Sequence, residues 1–248
     1  MMMSYTIQGK TALVTGANRG IGKAIVEALI AEGAKRIYAA ARNIDSLQAL
    51  VSQAPAVIVP VQLDVTNAGD IANVTQLVGQ LDILINNAGI ATGSDFSGEA
   101  SLRIAADEMA TNYFGVINLT HALLPVLHKS SAAAVINVSS IAGIANFPTL
   151  GPYSASKAAV HSFTQGLRAE VRKANIAVVC VYPGPVDTDM TKDFEMDKAA
   201  PANVASAVLA GLKNGDEDVF PDAFSQAMHQ VFVQNPKQLE QQFAATLG

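Results

Sequence analysis

The chain has 248 residues, half of them apolar and 15% charged, with a formal net charge of −5, one cysteine and no tryptophan. That balance excludes a disordered segment, which carries more charge and fewer aliphatic side chains, and a disulfide-stapled domain, which needs paired cysteines. A pI of about 5.3 argues against a nucleic-acid binder, and no run approaches the ~18 apolar residues of a membrane span.

The first ten residues, Met1 to Lys10, lack a basic region followed by an apolar core, so no secretion signal is read there and a cytoplasmic location is expected. A chain of this length buries roughly 70–75% of its unfolded surface, enough for a core without staples. Charge is unevenly placed. Residues 1–192 carry thirteen basic and thirteen acidic side chains, whereas residues 193–248 carry three and eight. The acidic excess reads as a solvated face.

Short apolar runs at 11–15, 36–40, 57–63, 82–86, 134–138 and 176–182 are apolar throughout rather than alternating. They are expected to be strands covered on both faces. Helical periodicity lies between them, with Ile21, Ile25, Ala28 and Leu29 on one face early and Ile71, Val74, Leu77 and Val78 later. Strand–helix alternation predicts an α/β fold, a doubly wound parallel sheet with helices on both faces. Nothing resembling a linker or a repeat divides the chain. One domain over 1–248 is expected, with 186–200 as a substrate loop and 201–248 as a helical end. Helices are predicted at 201–213 and 222–246, the second capped by Asp222. Cys180, inside the sixth run, reads as a buried, inert thiol.

The first run leads straight into Thr15-Gly16-Ala17-Asn18-Arg19-Gly20-Ile21-Gly22 and then a helix. Glycine allows the sharp turn. Missing Cβ atoms let a pyrophosphate approach the backbone, where free N–H groups and the helix dipole favour its charge. At the first strand of a βαβ pattern, such a turn points to a dinucleotide.

These residues resemble the short-chain dehydrogenase/reductase family, whose glycine motif has this Gly-x-x-x-Gly-x-Gly form. The resemblance continues through Asp64, Asn86-Asn87-Ala88-Gly89, Asn112, Ser140, Tyr153-Ser-Ala-Ser-Lys157 and Pro183-Gly184, so it covers residues 8 to about 192. It implies a Rossmann-type sheet of about seven strands, a nicotinamide cofactor and carbonyl/alcohol redox chemistry. It also implies cofactor contacts from Gly16, Asn18, Arg19, Gly20, Ile21 and Gly22 in the glycine turn. Asp64, followed by Val65, looks like the residue that bonds the adenine amine. Asn87, with Ala88 and Gly89, is expected at the cofactor ribose, while Asn86 stitches strands together. Pro183, Gly184, the Val186 backbone and the Thr188 hydroxyl hold the place where the family grips the carboxamide.

A nicotinamide dinucleotide carries either a ribose hydroxyl or a 2′-phosphate, and an acid ending the second strand usually reads the hydroxyl. Here Ala41 takes that place and Arg42 follows. Arg19 projects into the same region. Two guanidiniums suit a phosphate, so NADP(H) is the expected cofactor.

For the reaction, Tyr153 and Lys157 stand four residues apart on a predicted helix and share a face. A free phenol titrates near ~10. An adjacent ammonium and the cofactor's positive ring are expected to lower that value. Tyr153 is read as the general acid and base, and Lys157 as the group that lowers its pKa and binds the ribose. Ser140, at the family spacing of thirteen residues before Tyr153, is read as the hydroxyl that polarises the carbonyl, in preference to Ser139. Asn112 resembles the helix residue whose backbone holds a relay water.

His121, His128, His161 and His229 have no partners at metal spacing, so no metal is expected. Three loops, 90–98, 141–152 and 190–200, should surround the substrate. The second offers Ile141, Ile144, Ala145 and Phe147 without an arginine, and the third offers Met190 and Phe194. A neutral apolar ketone or aldehyde is favoured. A 3-oxoacyl-thioester reductase and a non-catalytic NADP(H)-binding protein are the alternatives. The helical end replaces the family's usual glycine-rich strand. A homodimer or homotetramer is expected through helices near 100–128 and 152–174.

Overall fold

Seven strands form one sheet in the computed structural model, which describes residues 5–247. They are β1 (Thr11–Thr15), β2 (Arg36–Ala41), β3 (Ile58–Gln62), β4 (Ile83–Asn86), β5 (Ala133–Val138), β6 (Ile176–Val181) and β7 (Asp218–Val219). All neighbours pair in parallel, in the order β3-β2-β1-β4-β5-β6-β7. The order reverses between β1 and β4. A doubly wound sheet opens a crevice at the carboxyl ends of such a pair, and ligands bind there.

The helices in chain order are α1 (Gly20–Ala31), α2 (Gln48–Val51), α3 (Ala68–Leu77), α4 (Ser101–Glu108), α5 (Gly115–Leu127), α6 (Gly151–Glu170), α7 (Pro201–Asn214), α8 (Ala223–Gln234) and α9 (Pro236–Ala244). On one face, Ile25 and Leu29 of α1 and Val208 and Leu212 of α7 pack on Ile37, Ile85 and Ile136. On the other, Val74 of α3, Leu119 and Leu123 of α5 and Leu167 of α6 pack on Leu13, Leu84 and Val135. Each central strand is covered on both sides, which is why its sequence shows no alternation.

Buried polar groups tie the layers together. Asn86 donates to the Thr120 hydroxyl at 2.9 Å and to Asn137 Oδ1 at 2.8 Å, and Asn137 donates to Thr164 at 2.9 Å. Asn86 thus stitches β4 to β5 and α5, as expected. Cys180 is a buried free thiol, and burial pushes its pKa up to about 11, consistent with an inert group.

The helix expected over 222–246 is two helices. Pro236 has no N–H to donate and disfavours helical backbone at the residue before it. Asn235 is accordingly extended, and its side chain accepts the Lys237 and Gln238 N–H groups to start α9. Asp222 caps only α8, in a reciprocal box with Ser225. Past the break, α9 turns back onto the body. Leu239 and Phe243 are buried, and Phe243 meets Phe147 edge to face at 5.2 Å.

Candidate active site

The glycine turn lies at the crevice between β1 and β4. Gly16 and Gly20 have φ of +64° and +54°, backbone that side-chain-bearing residues rarely adopt. Gly22 serves packing instead. A Cβ there would lie 2.2 Å from the Gly16 carbonyl oxygen, and Gly22 does not line the crevice. Gly16, Asn18, Arg19, Gly20 and Ile21 do line it, around the N-terminus of α1. Across the crevice, Asn87 donates to the Thr15 and Gly16 carbonyls at 2.9 and 3.3 Å. It faces the cleft beside Ala88 and Gly89 while fixing the turn.

The whole cleft has a volume of about 720 Å³. Ala41, Arg42, Asp64 and Val65 line one end of it. Asp64 accepts both the N–H and the hydroxyl of Thr66, at 2.9 and 2.7 Å. Burial raises its pKa, but these bonds and the Arg42 charge outweigh burial and hold it below the usual range. Asp64 therefore closes a local turn and faces the cleft at once. Arg19 is paired with Asp189 at 2.8 Å, both side chains largely exposed.

Tyr153, Lys157, Ser140, Pro183, Gly184, Val186 and Thr188 line the same cleft. Lys157 is buried and donates to the Val138 carbonyl at 2.8 Å. Its Nζ lies 5.7 Å from the centre of the Tyr153 ring. Ser139 donates to the Lys157 carbonyl at 2.8 Å and is thereby tied to α6. Ser140 donates to the Pro183 carbonyl at 3.4 Å and accepts the Ala142 N–H at 3.2 Å. Asn112 stands behind the wall in a π-helical segment, Met109–Phe114, a device common where a helix is bent to serve a site. Its amide bonds Ile90 in both directions, at 2.8 and 2.9 Å, and donates to Ser156 at 2.9 Å.

Burial dominates the pKa values of this pair in the chain alone. Burial pushes the Tyr153 phenol up to about 12, partly offset by Ser140 and reinforced by the Glu108 charge. Burial also pulls Lys157 down to about 8. Desolvation penalises both charged forms.

The substrate side is more apolar than polar. Ile90, Ile141, Phe147, Leu150, Met190, Phe194 and Met196 line it, whereas Ile144 and Ala145 do not. Phe224 of α8 lines it too, brought in because Asp222 accepts the Gly184 N–H at 2.8 Å. Periodicity alone gives no sign that α8 reaches the cleft. Among the described residues no group suits a metal ion, and no helix is long and apolar enough to cross a membrane.

A parallel sheet with a glycine turn at its switch point, and a Tyr–Lys pair in the same cleft, defines a dinucleotide-dependent class of α/β proteins. The model of the short chain dehydrogenase family matches residues 10–199. The chain belongs to the short-chain dehydrogenase/reductase family and is an oxidoreductase. A 3-ketodihydrosphingosine reductase of Bacteroides thetaiotaomicron is 33% identical over 222 residues, 84% of this chain and 76% of that one. A short chain dehydrogenase from Burkholderia cenocepacia, solved in complex with NADP, superposes with a TM-score of 0.91 at 35% identity, over 96% and 99% of the two chains. An enzyme from Burkholderia phymatum, solved in complex with NAD, shares the fold with a TM-score of 0.80 at 22% identity, over 93% and 96%.

Proposed function

We propose that the protein is an NADP(H)-dependent oxidoreductase that interconverts neutral, apolar ketones or aldehydes and their alcohols. The observation that carries this reading is the convergence of Tyr153, Ser140 and Lys157 on one cleft with the glycine turn. The donor set fits a dinucleotide: two glycines with left-handed backbone at a helix N-terminus, and two guanidiniums, Arg19 and Arg42, lining the same cleft; a 2′-phosphate is the group that would draw on both. When bound, the nicotinamide supplies or accepts the hydride.

Tyr153 gives its proton to the carbonyl oxygen in reduction and takes it back in oxidation. Ser140 donates a hydrogen bond to that oxygen as charge develops. Lys157 binds the ribose hydroxyls and fixes the ring. Asn112 holds the 90–98 loop and the relay water. Asp64, Val65, Asn87, Ala88, Gly89, Pro183, Gly184, Val186 and Thr188 hold the remaining parts of the cofactor. Leu102 and Phe114 are 85% and 51% exposed on the surface assigned to a dimer or tetramer contact.

A second reading is a long-chain 3-oxo substrate. The apolar lining from Phe147 to Phe224 suits it, and the Bacteroides relative is a 3-ketodihydrosphingosine reductase. One experiment covers both: NADPH oxidation against cyclohexanone, acetophenone, hexanal and a 3-oxoacyl thioester. Tyr153→Phe should lower turnover by orders of magnitude while NADPH binding is retained. Turnover that survives in that variant removes Tyr153 from the mechanism.

A further inference from the structure

Glu108 ends α4, with 1% of its surface exposed. Its Oε1 accepts the Thr92 N–H at 2.7 Å. Its Oε2 is buried with no hydrogen-bond partner, and among the described residues it is the only side-chain nitrogen or oxygen in that state. A buried carboxyl oxygen left unpaired is costly, so its retention calls for a reason.

Position supplies one. Asn112 lies about one helical turn further on and holds Ile90 by both backbone groups. Glu108 holds Thr92, two residues along the same loop. Ile90 and Thr92 both line the cleft, so this wall hangs from two rungs on one stretch of helix. α4 also packs against α6, the helix that carries Tyr153, and the Glu108 charge opposes loss of the phenolic proton. The other ionisable group facing Tyr153 from α6 is Lys157. On α4 itself, Arg103 and Asp107 pair with each other at 3.9 Å and are exposed.

We propose that Glu108 is a positioning residue, hanging the 90–92 wall beside Tyr153 and setting, by its buried charge, the pH range in which Tyr153 exchanges its proton. The inference rests on the reading of Tyr153 given above. Burial raises the Glu108 pKa, yet a carboxyl still ionises well below a phenol. Glu108 is therefore charged wherever Tyr153 titrates, and removing the charge eases formation of the phenolate.

Glu108→Gln keeps an acceptor for Thr92 and removes the charge, whereas Glu108→Leu removes both. The test is the pH profile of kcat/KM for oxidation of the alcohol of the best panel ketone, with the full chain and NADP⁺. The rising limb of Glu108→Gln should move to lower pH by about 0.5 unit, roughly threefold in rate at fixed pH, with KM unchanged. Glu108→Leu should show the same shift and a several-fold higher KM. Carbon-13 NMR of the tyrosine rings, without substrate, should show Tyr153, identified by its absence in Tyr153→Phe, ionising at lower pH in Glu108→Gln than in the unaltered chain.

Superimposable profiles for Glu108→Gln and the unaltered chain overturn the charge role, and an unchanged KM in Glu108→Leu overturns the positioning role. Glu108→Gln decides the first point even if Glu108→Leu does not fold. A Tyr153 titration that does not move between the unaltered chain and Glu108→Gln overturns the charge role without any substrate. If Tyr153→Phe stays active, the parent reading fails by itself, a result distinct from any of these.

Discussion

Arg19 and Asp189 meet at 2.8 Å across the mouth of the cleft. Arg19 belongs to the glycine turn, and Asp189 begins a short 3₁₀ turn in the loop after β6. The pair is exposed, at 66% and 69%, so it contributes no more than about 1 kcal/mol. Under the proposed NADP(H) reading, a 2′-phosphate would draw on the same guanidinium and compete with the carboxylate for it. Asp189→Asn should therefore tighten NADPH binding by up to about fivefold and leave NADH within about twofold. Fluorescence titration of both cofactors measures this. Equal gains for the two would show that the carboxylate does not compete with the phosphate.

Arg42 follows Ala41 at the end of β2, and both line the cleft beside Asp64. A small side chain at 41 leaves nothing to repel a phosphate, and under the proposed NADP(H) reading the guanidinium would add charge-assisted bonds. Arg42→Asp replaces those bonds with repulsion. NADPH efficiency should fall by about 10- to 100-fold, while NADH loses little. Steady-state kinetics with each cofactor decides it. Equal or better efficiency with NADH in the unaltered chain would end the phosphate reading of both arginines.

The phenol of Tyr153 stands at about 12 and Lys157 at about 8. With Tyr153 as the proposed acid and base, oxidation needs the deprotonated phenol, so below its titration kcat/KM should rise by about tenfold per pH unit. Reduction needs the proton, so its kcat/KM should stay level over that range and fall only as Tyr153 ionises. The positive charge of an oxidised nicotinamide ring favours the phenolate, so the oxidation limb should lie below the value in the chain alone. Paired profiles in both directions, on one substrate pair, check the sign. A falling oxidation limb between pH 7 and 9 would contradict it.

Legibility in the sequence followed how local the physics was. The strands were readable because a run such as Ala12, Leu13 and Val14 has no polar face to hide, and the structure buries all three completely. The glycine turn was readable because its geometry is carried within eight residues. The end of the chain was harder. Apolar periodicity runs on from α8 into α9, and only Pro236 marks the break. Gly22 shares a motif with Gly16 and Gly20 yet answers to helix–strand packing. Glu108 carried no motif at all. Its meaning comes from a loop sixteen residues earlier and a helix forty-five residues later, a coincidence that only the fold creates.

Phe243 lies beyond residue 199, where the family match ends, yet it bears on the site. It meets Phe147 edge to face at 5.2 Å, and Phe147 lines the cleft. Phe243 and Leu239 are the buried residues of α9. They anchor a helix whose Lys237, Glu240 and Gln241 face solvent. Truncating a buried phenylalanine costs about 3 kcal/mol or more. Because α9 is terminal, that loss should release the helix rather than unfold the sheet. In Phe243→Ala, amide exchange should quicken over 236–244 and stay slow in β1 and β4. KM for an apolar ketone should rise about tenfold as Phe147 loses its backing, with NADPH affinity unchanged. Phe243→Leu, which keeps much of the apolar contact, should restore most of it. Fast exchange in the tail with an unaltered KM would mean that the aromatic pair secures α9 alone and that the substrate wall stands without it.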